Sequence, residues 1–402
     1  MLVVLLLVAL LPPAFFGLHW YAWRRLVHDT TTRRSTMRRA GTVVFVAGPL
    51  LFLFALPHDL PGVPFRVEAI VDWPGFMWSA LFLYLLLALV VGEAVRPLLN
   101  RLLGGRQSVT EPVEPAEPGR PATQTPTLLP RRVFVSRLVG GGAAAVALAT
   151  VGYGTYGVLR GPRVKRITVA LAKLPRGAHG FRIAVVSDMH LGPLLGRDFA
   201  RRVVDTINST QPDLIAVVGD LVDGSVEDLS PAVAPLAQLR ARHGTFFVTG
   251  NHEYLYDAPR WISAVRDLGV HPLENALVEL PGFDLAGVDD VAGEGRGQGP
   301  DFARALGQRD RARTAVLLAH QPVLINEAVD YGVDLQLSGH THGGQLWPGT
   351  YLAKLAMPTV AGLERYGDTQ LYVSRGAGAW GPPVRVDAPS DITVIEMASR
   401  QT

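Results

Sequence analysis

Residues 182–192 read RIAVVSDMHLG, and the rest of the chain is organised around this stretch. Positions 183–187 are almost entirely apolar and rich in β-branched residues, without Gly or Pro, which predicts a buried strand. Asp188 and His190 follow this strand directly. In an α/β sheet, the loops at the carboxyl ends of the strands form the ligand crevice. The Asp188 carboxylate and the His190 imidazole are therefore candidate ligands of one metal ion.

Side chains of the same type follow four later strands, which apolar runs predict at 213–218, 245–248, 315–319 and 335–338. These side chains are Asp220; Asn251, His252 and Glu253; His320; and His340 and His342. The motifs that begin at Asp188, Asp220 and Asn251 lie about 30 residues apart, the length of a βαβ unit, with helices predicted at 198–210 and 229–241 between them. The three strands should therefore be parallel, with their ends side by side.

The chemistry of this set favours two metal ions. The chain has no Cys, so thiolate ligands and disulfides are excluded. Imidazole and carboxylate donors suit Mn, Fe, Zn or Co, whereas Ca and Mg prefer oxygen ligands. Two Asp, one Asn and at least four His give seven candidate ligands, which are too many for one ion. A shared carboxylate would hold two ions roughly 3.5–4 Å apart, as in two-metal hydrolytic sites. A His that is not a ligand could protonate the leaving group.

In this order the motifs resemble the calcineurin-like metallophosphoesterase superfamily, over about residues 180–398. Four further runs resemble its bacterial membrane-associated branch, which includes the twin-arginine-exported phosphoesterase of the bacilli and the lipid-A-pathway pyrophosphohydrolases. These runs are AGVDD at 286–290, LLAHQP at 317–322, SGHTHGGQ at 338–345 and VSRGAG–WGPP at 373–383.

The resemblance implies an α/β fold in which two sheets form a sandwich flanked by helices, with the metals at the sheet edges. It also implies the ligands of two divalent ions. One ion would be held by Asp188, His190 and His342, the second by Asn251, His320 and His340, and Asp220 would bridge the two.

The resemblance assigns His252 as the acid that meets the leaving oxygen. We expect Glu253 to orient a ligand rather than to bind metal. Gly343 should let the backbone approach a phosphate oxygen, unless it only makes a tight turn. Asp223 is expected to cap the helix or turn that follows it.

The first 160 residues carry most of the apolar excess of a chain that is 48% hydrophobic. Apolar runs predict membrane spans at 1–23, 42–56, 76–91 and 138–158. We therefore divide the chain into an all-α transmembrane region at 1–106 with about three helices, a disordered Pro/Thr/Glu-rich linker at 107–132, a fourth span or signal anchor at 133–159, and a catalytic domain at 160–402.

Arg-rich loops at 24–39 and 96–106 predict the orientation, because basic loops prefer the cytoplasm. This places the catalytic domain outside the cytoplasm, in a multi-pass protein of the bacterial cell membrane, although Arg160, Arg163, Lys165 and Arg166 argue against it. The pair Arg131-Arg132, followed by Phe134 and a Gly/Ala-rich run, resembles a twin-arginine export signal. A stop-transfer helix flanked by arginines is the alternative.

The predicted function is that of a membrane-anchored phosphoesterase that hydrolyses a phosphomonoester, phosphodiester or pyrophosphate with two metal ions. Its partners would be the membrane and a phosphate-ester substrate, with a lipid-linked phosphate as one candidate. The alternatives are a tethered hydrolase of soluble nucleotides and a non-catalytic membrane sensor. A net charge of only +3 indicates no nucleic-acid partner.

Overall fold

The computed structural model describes residues 2–56, 64–102 and 131–400. Their contacts divide them into two units, one formed by the described residues up to 53 and within 78–151, the other by those within 54–77 and 152–400. The predicted linker at 107–132 lies outside the described residues, except that Arg131 and Arg132 begin a helix.

The amino-terminal part of the chain is helical. Its helices are α1 (Leu2–Trp23), α2 (Thr36–Ala55), α3 (Phe65–Leu102) and α4 (Arg131–Leu159). By length and composition, α2, α3 and the stretch Arg132–Leu159 of α4 could each cross a membrane. Helix α3 extends beyond the apolar run at 76–91 because its ends contain charged residues that favour a helix, such as Glu68 and Arg101. A hydropathy pattern detects only the apolar part of such a helix.

The second unit contains the strands. They are β1 (Arg163–Leu171), β2 (Phe181–Val186), β3 (Leu214–Val218), β4 (Thr245–Val248), β5 (His271–Pro272), β6 (Ala276–Leu280), β7 (Phe283–Gly287), β8 (Thr314–Leu318), β9 (Leu335–Ser338), β10 (Gly362–Tyr366), β11 (Thr369–Val373) and β12 (Asp391–Ser399).

Shorter helices lie between these strands. They are α5 (Arg197–Ser209), α6 (Val226–Val233), α7 (Asn251–Leu255), α8 (Ala258–Asp267), α9 (Phe302–Leu306), α10 (Ile325–Asp330) and α11 (Gly349–Ala356). The helix predicted at 229–241 is instead α6 followed by a 3₁₀ turn at Ala234–Gln238, where Pro235 has no N–H for an α-helical hydrogen bond.

The strands form two six-stranded sheets, in the orders β1-β12-β2-β3-β4-β5 and β10-β11-β9-β8-β7-β6. In the first sheet β2, β3 and β4 are parallel, and Val186 pairs with Val217 while Val218 pairs with Val248. The predicted parallel arrangement is confirmed, with the three strand ends side by side.

The two sheets pack on each other through buried side chains such as Ile183, Leu214, Leu285 and Leu337. Helices α5, α6 and α8 bury their apolar faces against the outer side of the first sheet, and α9 and α10 do so against the second. The predicted two-sheet α/β fold is therefore confirmed, with a helical region before it. Strands β3 and β8 are buried along their whole length, which explains why their sequences LIAVV and TAVLL are almost continuously apolar rather than alternating.

Strand β1 determines where the chain enters the catalytic unit. Its basic residues Arg163, Lys165 and Arg166 form an edge strand, whereas the sequence pattern suggested only a charged flank of α4. Arg163 lies opposite Asp391 of the parallel strand β12, and β12 runs antiparallel to β2. Because neighbouring strands lie about 4.8 Å apart, Arg163 at the start of β1 lies about 10 Å from the carboxyl end of β2.

Candidate metal centre

Loops after five strands, from both sheets, bring the predicted ligands together. Asp188 and His190 follow β2, Asp220 follows β3, Asn251 begins α7 after β4, His320 follows β8, and His340 and His342 follow β9. Their donor atoms form two principal groups, within each of which the atoms lie within 4.8 Å of one another: Asp188 with His190 and His342, and Asp220 with His320 and His340. A further group of His190, Asp220 and His252 connects the two. The sequence motifs therefore converge on one site.

The backbone at this site is strained. Positive φ angles occur at Asp188 (52°), His190 (45°), Asp220 (49°), His340 (70°) and His342 (51°). Left-handed conformations of non-glycine residues cost on the order of 1–3 kcal/mol each and persist only where the surrounding structure imposes them. The strand ends thus hold the donors in directions that an unconstrained chain would rarely adopt.

Two glycines permit the close approach of the loops. Gly219 has φ of 73°, and a Cβ there would lie 2.5 Å from the His320 ring nitrogen Nδ1. A Cβ at Gly339 would collide with Asp188 and Ser187. Larger residues at either position would therefore separate strand ends that carry the donors.

Hydrogen bonds fix which nitrogen of two histidines is available. His190 Nδ1 lies 2.9 Å from Asp223 Oδ1, and His320 Nδ1 lies 2.9 Å from the carbonyl oxygen of Val218. Each Nδ1 therefore donates its proton to these acceptors, so Nε2 is the nitrogen of each ring that faces the candidate site. The buried His320 Nε2 lies 3.1 Å from Asp220 Oδ2.

Arg385 contacts both the backbone and the ring of His342. Its buried guanidinium donates to the carbonyl oxygens of His342, Ala388 and Gly378, at 3.0, 3.0 and 2.7 Å. One of its nitrogens also lies 3.1 Å from His342 Nδ1. Burial, then the proximity of His190 and Arg385, lowers the pKa of His342 well below its usual value, so this imidazole is neutral. The neutral ring is the form that binds metal.

Asn251 and His340 make up the other side of the site. The Asn251 Oδ1 atom lies 2.9 Å from His340 Nδ1, and burial together with nearby His320 lowers the pKa of His340 to about 4. Asp220 lies between the two groups. Its Oδ1 accepts a hydrogen bond from the backbone N–H of His252 at 2.9 Å, while its Oδ2 faces His320.

His252 shares a carboxylate with His190. Its Nδ1 lies 2.7 Å from Asp223 Oδ1, the atom that also contacts His190. Burial by itself would lower the pKa of His252, but the hydrogen bond to Asp223 and the nearby negative charges of Asp220, Asp223 and Glu253 together outweigh it and raise the pKa to about 9. His252 is thus protonated at neutral pH, as an acid requires. The ring of Trp380 stands edge-on to the His252 ring, with centroids 5.8 Å apart.

Glu253 connects two ligand loops through the backbone. Its fully buried carboxylate accepts hydrogen bonds from the N–H groups of Asp220, Leu221 and Gly250, at 3.1, 2.8 and 2.6 Å. The expectation that Glu253 orients ligands agrees with these contacts, which fix the loop after β3 to the loop after β4.

The donor chemistry fits a pair of divalent ions. His190 Nε2 and His342 Nε2 lie 3.0 Å apart, and the buried carboxylates of Asp188 and Asp220 lie beside these imidazoles. Buried carboxylates are costly without a compensating positive charge, which a divalent cation among these donors would supply. The residues that would hold the ions are those of the two groups together with Asn251.

Sequence reasoning missed two contacts. Asp223 was expected to cap a helix, but Ser225 caps α6 and the Asp223 carboxylate holds two histidines. Arg385 was not singled out at all. Gly343 lies in a 3₁₀ turn in which its N–H donates to Thr341 Oγ1, as expected for a tight turn.

The sequence matches the profile of the calcineurin-like phosphoesterases over residues 181–344. It is 40% identical to an uncharacterized metallophosphoesterase of Helicobacter pylori over 256 residues, 62% of this chain and 68% of the relative. A zebrafish transmembrane protein with a metallophosphoesterase domain is 37% identical, over 60% of this chain and 59% of its own. An uncharacterized metallophosphoesterase of Bacillus subtilis is 31% identical over 67% of this chain and 98% of its own.

The Asp223→Asn substitution tests whether this carboxylate orients His190 and His252. The amide removes the negative charge that faces both rings, so we expect metal affinity and turnover to fall by about 10- to 100-fold. Metal content by plasma mass spectrometry and turnover of p-nitrophenyl phosphate measure both effects. Asp228→Asn, an exposed change on α6, is the matched control, and equal behaviour of the two variants would contradict the assignment.

Proposed function

The chain belongs to the calcineurin-like metallophosphoesterase family and is a metal-dependent phosphoester hydrolase, and from this premise we propose a more specific function. We propose that it is a membrane-anchored enzyme with two metal ions that hydrolyses a phosphomonoester, phosphodiester or pyrophosphate at the bilayer surface. Lipid-linked phosphates are the substrate class that we favour.

The observation that carries the proposal is the convergence of the donor groups around Asp220. Asp220 belongs to one principal group and, through the further group with His190 and His252, adjoins the other, while its own oxygens face His320 and the backbone of His252. In the proposed assignment Asp188, His190 and His342 hold one ion, Asn251, His320 and His340 hold the other, and Asp220 contacts both. Such ions supply Lewis-acid chemistry, because they polarise a phosphoryl group and lower the pKa of water.

His252 is the proposed general acid. Asp223 fixes its Nδ1, so that the ring is oriented and its Nε2 can donate a proton to the leaving oxygen. The aromatic ring of Trp380 beside it restricts the directions from which a substrate can approach.

Two observations support a substrate at the membrane. Relatives from zebrafish and cattle are named transmembrane proteins with a metallophosphoesterase domain. In addition, the chain passes from α4 into β1 close to the end of β2, where Asp188 lies. We also propose that the chain belongs with the membrane-associated bacterial branch of the family, on the basis of the runs at 286–290, 317–322, 338–345 and 373–383.

We propose that the catalytic unit lies outside the cytoplasm, on the basis of the Arg-rich loops at 24–39 and 96–106. Arg131 and Arg132 begin α4, so the same pair could serve as a twin-arginine signal or as the flank of a stop-transfer helix. The twin-arginine interpretation and the stop-transfer interpretation predict different export routes.

Turnover by the full-length chain in detergent tests the enzymatic proposal. After reconstitution with Mn, we expect hydrolysis of p-nitrophenyl phosphate, bis-p-nitrophenyl phosphate or a lipid pyrophosphate, and loss of at least about 100-fold in the Asp220→Asn variant. The ranking of these three substrates distinguishes a lipid phosphatase from a general esterase, and a nucleoside diphosphate in the panel tests the soluble-nucleotide alternative. Two bound metals without any turnover would contradict the proposal.

The His252→Ala substitution tests the acid. We expect turnover of phenyl phosphate, whose leaving group needs a proton, to fall by about 10²- to 10⁴-fold. Turnover of p-nitrophenyl phosphate should fall much less, because that leaving group departs as a stable anion. Metal content should not change, and equal losses for both substrates would remove His252 from this role.

A unique Cys tests the orientation, since the chain contains none. Gln238→Cys is exposed and should react with a membrane-impermeant maleimide in cells whose outer layers are permeable to the reagent. Adding Arg131→Lys and Arg132→Lys should abolish this labelling if export uses the twin-arginine route, and leave it intact if α4 is a stop-transfer helix. Labelling only after lysis would reverse the proposed orientation.

A further inference from the structure

Five large apolar side chains, four in the segment that follows His342 and one beside His252, are exposed rather than buried. Their exposed fractions are 42% for Trp347, 62% for Tyr351, 70% for Leu352, 85% for Leu355 and 55% for Trp380. We call these five residues the apolar rim. Helix α11, which contributes three of them, has no buried residue.

Helix α11 turns its apolar face outward, which is the reverse of what is expected for a helix on a soluble domain. At 100° per residue, Tyr351, Leu352 and Leu355 fall within an arc of about 100°, so they form one continuous apolar face. Such a face normally packs on the protein core, but here it points outward. Apolar faces exposed in this way mark surfaces that contact a membrane or another molecule.

The apolar rim is joined to the metal centre by hydrogen bonds. Thr350 Oγ1 of α11 donates to the carbonyl oxygen of Gly343, the residue after the ligand His342, at 3.0 Å. Gln345 Nε2 donates to the carbonyl oxygen of Trp380 at 2.8 Å, and the N–H of Trp380 donates back to Gln345 Oε1 at 3.1 Å. The Trp380 ring lies beside His252. The apolar rim therefore borders the opening through which a substrate would reach the metal ions.

The same segments also contact the ends of the membrane-spanning helices. The N–H of Arg385 lies 3.4 Å from the carbonyl oxygen of Gly154, in the last turns of α4, and the N–H of Trp347 donates to Val386 at 3.1 Å. Gly381, next to Trp380, lies against the Phe76 ring, at the start of the apolar run of α3. Segments next to the apolar rim thus contact Phe76 and Gly154, the parts of α3 and α4 that belong to the same unit as the strands.

We propose that the apolar rim inserts into the interface of the bilayer that anchors the chain, so that the metal centre opens onto the lipid headgroups. The composition fits this occupant, since Trp and Tyr favour the membrane–water interface and Leu favours the acyl region. Lys354 on the flank of α11 suits the headgroup layer. The inference deepens the proposed function, because it specifies substrates whose phosphate lies in the membrane plane.

Fluorescence quenching tests the insertion independently of catalysis. The full-length chain with Leu355→Cys, labelled with bimane, would be placed in nanodiscs of phosphatidylethanolamine and phosphatidylglycerol. The control is Gln238→Cys, which precedes β4 and so lies at the opposite edge of the sheet from the metal centre. We expect quenching by nitroxide-labelled lipid and protection from aqueous iodide at 355, and the reverse at 238.

Two quenching results would overturn the proposal. Strong quenching by iodide at 355 would show that the apolar rim stays in water. Protection from both quenchers would show that protein covers it, for instance a second copy of the chain. Neither result depends on whether the chain hydrolyses a phosphoester. The experiment can therefore contradict the insertion of the apolar rim without contradicting the proposed function.

Kinetics test the consequence for substrate choice. The double variant Leu352→Glu/Leu355→Glu should lose about tenfold or more in kcat/KM for phosphatidic acid or a long-chain prenyl pyrophosphate in the same nanodisc. Turnover of soluble p-nitrophenyl phosphate should not change. The matched control Ala237→Glu/Gln238→Glu adds the same charge at the opposite edge and should affect neither substrate. An equal loss in both variants, or in neither, would overturn the role of the apolar rim in substrate access.

Discussion

The structure depends on the burial of negative charge at the meeting point of two sheets. Asp188, Asp220 and Glu253 are between 0 and 2% exposed, and Asp223 lies beside them. A buried carboxylate costs several kcal/mol unless opposite charge or hydrogen bonds compensate it. The need to compensate this buried charge accounts for three features of the site. They are the residues with left-handed backbone, the glycines that allow close approach, and the surrounding imidazoles.

The negative charges of the four carboxylates are compensated in different ways, and the kind of compensation indicates which carboxylates hold the fold and which could take part in chemistry. Glu253 is satisfied by three backbone N–H groups, so it fixes loops and has little remaining capacity for a metal ion. Asp223 is occupied by two imidazoles. Asp188 and Asp220 face imidazoles, with His342 Nε2 3.4 Å from Asp188 Oδ1 and His320 Nε2 3.1 Å from Asp220 Oδ2, and divalent metal would supply the charge that these two carboxylates need.

Much of the catalytic half could be predicted because its signals are local. A buried strand followed by a ligand-type residue can be read within about ten residues, and the βαβ spacing then predicts which ends are neighbours. Asp223 and Arg385 could not be assigned in this way. Asp223 precedes a helix, where caps are common, and only the fold places it against His190. Arg385 lies in an irregular segment with no periodicity. Strand β1 was missed because its charges resemble a helix flank.

The connection between α4 and β1 has a further consequence. Only Arg160, Gly161 and Pro162 separate the two elements, and the N–H of Arg163 is already bound to Ser390. Three residues span at most about 10 Å. A tether this short keeps the reaction centre at a constant height above the end of α4. For the proposed lipid-linked substrate, an encounter would be a search in two dimensions, governed by lateral diffusion and surface density rather than by bulk concentration.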